Sequence, residues 1–194
     1  GQKTLLSTPL TYRCRKNCLR ADFFMAKTYK HQTTRYVTDR NADWRSKLAQ
    51  GEMFEARGRN WLKEQGHECW KPQETSYDLR INIEVPLYGA LPLTGECKYD
   101  VSAASTHNLA LQVFDGGKPS GIHPEGPNPH LWFHGVGEEM WIIRTKILQS
   151  VVETYSQSWG GKIVAMGNKS EQAKGILMPI TAAKKAIGGQ WVTL

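Results

Sequence analysis

The stretch "SYDLRINIEVPLYGALPLTGECKY" (76–99) decides how the chain is read. Its first part alternates: Leu79, Ile81, Ile83 and Val85 stand against Asp78, Arg80, Asn82 and Glu84. That is the period of a strand with one buried face. "PLYGALP" (86–92) supplies turn residues, and "LTGECKY" (93–99) reads as the returning strand. A turn near residue 88 sets Asp78 opposite Lys98 and Glu96 opposite Arg80. A slip of two residues sets Asp78 opposite Glu96 instead. In either register Asp78, Glu96 and Lys98 share one face, while Leu79, Ile81, Leu93 and Cys97 point into a core.

Two carboxylates converging on one sheet face repel unless positive charge lies between them. A hard divalent cation with oxygen ligands supplies it. Magnesium binds through one or two carboxylates and keeps waters that a phosphate can replace. A lysine beside it can position or deprotonate an attacking water, or steady the charge that develops on phosphorus.

Upstream, "TDRNADWRSKLAQGEMFEARGRNWLKEQG" (38–66) is the strongest helical signal. Asp39, Asn41 or Asp43 could cap it and Gly66 could stop it, with Gly51 a candidate break into two helices. Trp44, Leu48, Gly51, Glu55, Gly58 and Leu62 recur at spacings of three and four. Glu55 falls within that apolar stripe, where an unpaired charge costs several kcal/mol. It is the preferred third carboxylate, with Glu52 one turn earlier as its rival.

Gly51…Glu55 on a helix, Asp78 on a strand and "ECK" (96–98) on the next resemble the PD-(D/E)XK nuclease superfamily over roughly residues 48–114. Tyr77 replaces the proline expected before the aspartate. The resemblance implies a restriction-endonuclease-like fold, bound Mg2+ (with Mn2+ able to substitute) and phosphodiester hydrolysis. It implies that Asp78 and Glu96 are metal ligands, Lys98 the catalytic lysine and Glu55 an accessory carboxylate. Some members also use a polar residue on the helix after the motif, and Gln112 stands near that place.

The rest of the chain suits an α/β or α+β domain around one mixed sheet. "HECWKP" (67–72) is a short strand candidate, and "HNLALQVF" (107–114) is ambiguous between helix and strand. Residues 115–130 form a long Gly/Pro-rich loop. "LWFHGVGEEMWIIRT" (131–145) reads as a hairpin turning at Gly137–Glu138. "KILQSVVETYSQSWGG" is a helix with Ile147, Leu148, Val151, Tyr155 and Trp159 on one face. "GILMPI" is the last strand, and "TAAKKAIGG" the last helix.

Charge is distributed unevenly. Residues 1–50 hold 11 Lys and Arg against 3 Asp and Glu, a net of +8. The whole chain carries +7, so the remainder is slightly acidic. A localised basic segment suits a polyanion such as DNA; the plainer alternative is a solvated, partly disordered tail. Arg35, Arg40, Arg45, Lys47, Arg57 and Arg59 lie on or before the motif helix and are candidates to grip phosphates. The chain starts at Gly1, and Met25 could be a natural start. Residues 1–24 would then be an appended remnant, an upstream extension or an organelle-targeting peptide. The domain division expected is a basic extension over 1–40 and a nuclease domain over 41–194.

Four cysteines (Cys14, Cys18, Cys69, Cys97) do not make a disulfide framework at this length and read as reduced thiols. No apolar run approaches a membrane span. A cytoplasmic location in a bacterial or phage-infected cell is expected, with an organelle as the alternative. His123, His130 and His134 could gather a zinc ion, and Trp70 and Trp132 could stack on an unpaired base. No phosphate-binding glycine loop appears. The function expected is a magnesium-dependent DNA endonuclease, cutting branched DNA or a specific duplex site as a homodimer. The rivals are a non-cleaving nucleic-acid-binding module of the same fold and an RNA-processing nuclease.

Overall fold

A computed structural model describes residues 40–73, 77–86, 88–158, 163–166 and 173–194. Residues Asn41–Leu194 make one unit. Residues 1–39 of the proposed extension, with Arg35 and the Cys14/Cys18 pair, and Trp159 fall outside the described residues, as do the side chains of Arg40 and Tyr155.

Helix α1 (Arg40–Glu64) runs unbroken through Gly51, so that glycine divides nothing. Its end is a Schellman turn around Gly66, whose φ of +85° favours glycine. There Gly66 N–H donates to Lys63 C=O at 2.9 Å and His67 N–H to Leu62 C=O at 3.0 Å. The expected stripe holds at Gly58 and Leu62, which are buried, but not at Leu48. Leu48 is 49% exposed, and Phe54 and Leu62 are the residues that pack.

Next come β1 (Glu68–Trp70), β2 (Leu79–Val85) and β3 (Gly89–Tyr99). The hairpin register is the slipped one: Leu79 pairs with Gly95 and Val85 with Gly89. Arg80 therefore faces Thr94, not Glu96. The turn is shorter than "PLYGALP" suggests, because Gly89–Pro92 belong to β3. Strands β6 (Leu131–Val136) and β7 (Glu139–Arg144) form the hairpin at Gly137–Glu138, and β6 lies parallel to β3. Strand β10 (Gln190–Thr193), absent from the sequence reading, pairs with β7. The mixed sheet has the order β1-β2-β3-β6-β7-β10.

A parallel neighbour requires a crossover, and the crossover carries most of the surprise. After β3 come only one turn of helix, α2 (Ala103–Thr106), then β4 (Asn108–Asp115) and β5 (Lys118–Pro119). "HNLALQVF" is thus a strand, and its alternation of buried Leu109, Leu111 and Val113 is the period-2 signal. With β8 (Val164–Ala165) and β9 (Ala173–Pro179) it forms a second antiparallel sheet, β5-β4-β9-β8. Helix α3 (Thr145–Ser158) buries Leu148 and Val152, whereas Ile147 is 37% exposed. A short helix, α4 (Ile180–Ala182), continues as a π turn (Ala183–Ile187).

Two cores result, one on each face of the mixed sheet. Phe54 and Leu62 of α1 pack on Leu79, Ile81, Cys97, Phe133 and Met140. Trp132, Val136, Trp141 and Ile143 on the other face pack with Leu109, Leu111, Leu148, Val152, Ile176 and Met178. Trp132 is 2% exposed, which removes it as a base-stacking platform; Trp70 is 42% exposed. The architecture is α+β with a six-stranded mixed sheet and flanking helices. Among the described residues no helix is long and apolar enough to cross a membrane.

Helix α1 lies close to β6. A Cβ at Gly135 would stand 2.5–2.7 Å from the Phe54 and Tyr99 rings. Gly135→Ala is expected to destabilise the fold by about 1–3 kcal/mol through overpacking. Urea unfolding would show it as a lowered midpoint with an unchanged slope.

Candidate active site

The site is assembled where β2 begins and β3 ends. Asp78 sits one residue before β2, and extending the register places it across from Glu96. Its Oδ2 accepts the Cys97 N–H at 2.8 Å. That bond ties the aspartate to the strand bearing Glu96 and Lys98. In the parallel pairing Glu96 lies beside Trp132 and Lys98 beside His134, so both acid and lysine project from the face opposite α1. Cys97, between them, points to the α1 core and is buried.

Lys98 Nζ stands 2.6 Å from Glu96 Oε1, with side chains 47% and 14% exposed. Burial pushes the Glu96 carboxyl above its ordinary value; Lys98 opposes this, while Asp78 and Glu55 add to it. Burial pulls the Lys98 ammonium down, but Glu96 and then Asp78 outweigh it, and the net shift is upward. Lys98 therefore stays protonated at neutral pH. The Cys97 thiol is driven well up by burial and then by the same three carboxylates.

Glu55 arrives from α1, the opposite side of the sheet. Its side chain is 16% exposed and its Oε2 lies 2.8 Å from Lys71 Nζ and 3.7 Å from Arg59 Nη1. Glu52 is exposed. Lys71 follows β1 and was not singled out by sequence reasoning, since a lysine after a short strand carries no pattern. Its ammonium is held above the usual value, chiefly by the hydrogen bond to Glu55, with Asp78 contributing. Glu55, Asp78 and Glu96 thus share one electrostatic neighbourhood without closing on a point. Among the described residues no three His, Cys, Asp or Glu side chains gather closely enough to hold a metal ion. Glu96 is paired with Lys98, and Glu55 with Lys71.

Beside Lys98 opens a cleft of about 170 Å3, lined by Tyr99, Asp100, Gln112, Trp132, His134 and Met166 among others. Gln112 is on β4, not on a helix, and its Nε2 donates to Ser120 Oγ at 3.3 Å. Asp100 is the polar hub below. Its Oδ1 accepts from Ser102 N–H (3.1 Å), Ser102 O–H (2.8 Å) and Ala103 N–H (3.1 Å). Its Oδ2 accepts from Ala110 N–H at 2.8 Å and lies 3.9 Å from His134 Nε2. Burial works against the Asp100 charge, but His134, Ala110 and Ser102 hold its pKa down at about 2. Asp-x-Ser at 100–102 is a sequence pattern of such side-chain-capped turns.

The three loop histidines are separated. His130 Nδ1 accepts the Thr94 N–H at 3.1 Å, and His123 Nδ1 the Glu125 N–H at 3.1 Å. His134 is buried, with Trp132 Nε1–H directed at its Nδ1 at 3.4 Å. These three histidines therefore form no zinc cluster. Of the basic candidates, Arg45 and Lys47 are exposed on α1. Arg57 bonds Glu138 at 2.5 Å and the Leu194 carbonyl at 3.0 Å, and Arg59 faces Glu55. These two arginines are committed within the fold. Cys69 and Cys97 are free and buried. No protein-family model, curated protein or solved structure matches the chain.

Asp100 offers a pH test. Its folded-state pKa lies below the unfolded value, so its contribution is present above about pH 4 and is lost as pH falls toward 2. Asp100→Asn should lower stability at pH 7 by about 2 kcal/mol, because charged acceptors are the stronger ones. In denaturant titrations at a series of pH values, the gap between wild type and variant should close between pH 4 and pH 2.

Proposed function

We propose that the protein is a magnesium-dependent endonuclease that hydrolyses DNA phosphodiester bonds. One observation carries this reading: Asp78 lies across from Glu96, Lys98 is 2.6 Å from that glutamate, and Glu96 feels the charges of both Asp78 and Glu55. The donor chemistry fits a hard cation. Burial is the main reason the Glu96 carboxyl is raised despite Lys98, with Asp78 and Glu55 adding smaller repulsions that a cation would relieve. Magnesium needs only one or two protein carboxylates, so Asp78 and Glu96 suffice, with Mn2+ able to replace it. When bound, the ion lowers the pKa of a coordinated water and polarises a phosphoryl oxygen.

The chain's own groups have assignable parts. Asp78, fixed by the Cys97 N–H, presents its carboxylate in a set orientation. Lys98 is protonated and half exposed. It serves by steadying negative charge on the phosphate rather than by removing a proton. Glu55 contributes field rather than a ligand. Arg45 and Lys47 lie exposed on α1, where they can meet the phosphate backbone. Cutting both strands favours a homodimer. Branched DNA and a specific duplex site remain equal choices of substrate, and RNA is the rival polymer. The non-cleaving reading is favoured by the two lysines, which already neutralise Glu96 and Glu55.

A substrate panel separates these readings: supercoiled plasmid, linear duplex, a four-way junction and RNA, each with Mg2+ or EDTA. The expected result is Mg2+-dependent product on a DNA substrate. Lys98→Ala should cut slower by on the order of 10²–10³ while still binding. Absence of Mg2+-dependent product on every substrate overturns the enzyme reading. Normal cutting by Lys98→Ala removes that residue's role.

A further inference from the structure

The Glu-x-Lys strand supplies one lysine to the site, but the fold supplies two. Lys71 reaches Glu55 from the edge of the sheet, just beyond β1, whose Trp70 pairs with Arg80 of β2. Its Nζ is 2.8 Å from Glu55 Oε2 although the lysine side chain is 54% exposed. Arg59 faces the same carboxylate oxygen at 3.7 Å and is only 21% exposed. One Arg59 guanidinium nitrogen, Nη1, is buried without a hydrogen bond among the described residues. Glu55 thus has two cations competing for one oxygen, one half exposed, the other enclosed.

An exposed ion pair of this kind contributes about 0–1 kcal/mol and is readily exchanged. Lysine is a compact charge on a flexible stem, and can redirect its ammonium without moving the backbone. Arg59 can keep Glu55 neutralised when Lys71 leaves. The charge of Lys71 also acts on Asp78, the carboxylate opposite Glu96. Positive charge held there opposes a cation arriving at Asp78 and Glu96, and attracts a phosphate arriving at the same place.

We infer that Lys71 is an exchangeable counter-ion of the site, pairing with Glu55 at rest and transferring to the substrate phosphate on binding. This rests on the nuclease reading, since it needs a cation at Asp78 and Glu96. Lys71 then has two opposed effects. It weakens divalent-cation binding by like-charge repulsion and strengthens DNA binding by one phosphate contact. A purely structural lysine would not show that opposition, because its loss would weaken both or neither.

The test uses the full chain with Lys71→Met, Lys71→Gln and Lys71→Arg, each checked for wild-type circular dichroism. Mn2+ binding without DNA is read from the electron paramagnetic resonance signal of free Mn2+. Duplex binding in EDTA is read by fluorescence anisotropy over a salt series. Lys71→Met and Lys71→Gln should bind Mn2+ about three- to tenfold tighter. Their DNA salt dependence should fall by about one phosphate contact, and Lys71→Arg should restore both values toward wild type. Unchanged or weaker Mn2+ binding by the neutral variants, with wild type binding normally, overturns the inference alone. Failure of wild type to bind Mn2+ at all overturns the nuclease reading with it.

Discussion

The pairing of Leu79 with Gly95 holds the molecule's chemistry in place. Gly95 tolerates no side chain: a Cβ would meet the Phe133 ring at 2.7 Å and the Leu79 Cβ at 3.2 Å. Leu79 and Phe133 are fully buried on the α1 side, so β2, β3 and β6 are locked together at that point. A one-residue slip would turn every buried side chain outward. Because this register is held by packing, Asp78 comes to lie across from Glu96, and its carboxylate takes up the Cys97 N–H. The acidic pair is thus a by-product of how an apolar core closes.

That arrangement sets electrostatic cost against use. Glu96 is buried enough for its carboxyl to be raised even with Lys98 in contact. In the folded state its charge is disfavoured above its ordinary pKa, so it weakens the fold at neutral pH. Two residues beyond Lys98, Asp100 behaves oppositely, its charge welcomed by four hydrogen-bond donations and a nearby histidine. One strand end therefore carries a destabilising acid and a stabilising one. Locally strained charge beside a well-satisfied anchor is the pattern expected where function rather than stability selects a residue.

The hairpin was legible because period-2 alternation and a Gly/Pro turn leave few options. Its register was open, since both choices keep the same faces and only the Gly95 contacts decide. Glu55 was legible as an anomalous charge on α1. The stripe around it was legible at Gly58 and Leu62, which are buried, but not at Leu48, which matches the spacing yet is 49% exposed. Gln112 was assigned to a helix by resemblance, while its own neighbours Leu109, Leu111 and Val113 alternate as a strand. The second sheet and β10 escaped notice because their partners are distant in sequence: β4 pairs with β9, and β10 with β7. Trp132 looked available because an aromatic on a strand carries no mark of which face it takes. Lys71 and Asp100 were unreadable as site residues, since each acquires its role from a contact made by folding.

The central claim is that Asp78 and Glu96 together form a seat for a divalent cation, with Lys98 set aside from Glu96 to make room. Anomalous diffraction from crystals grown with Mn2+ tests it most directly. The account predicts a peak within coordination distance of one carboxylate oxygen from each acid, with Lys98 Nζ displaced from Glu96 Oε1. Density at full Mn2+ occupancy elsewhere, with the Lys98–Glu96 ion pair unchanged, would contradict it.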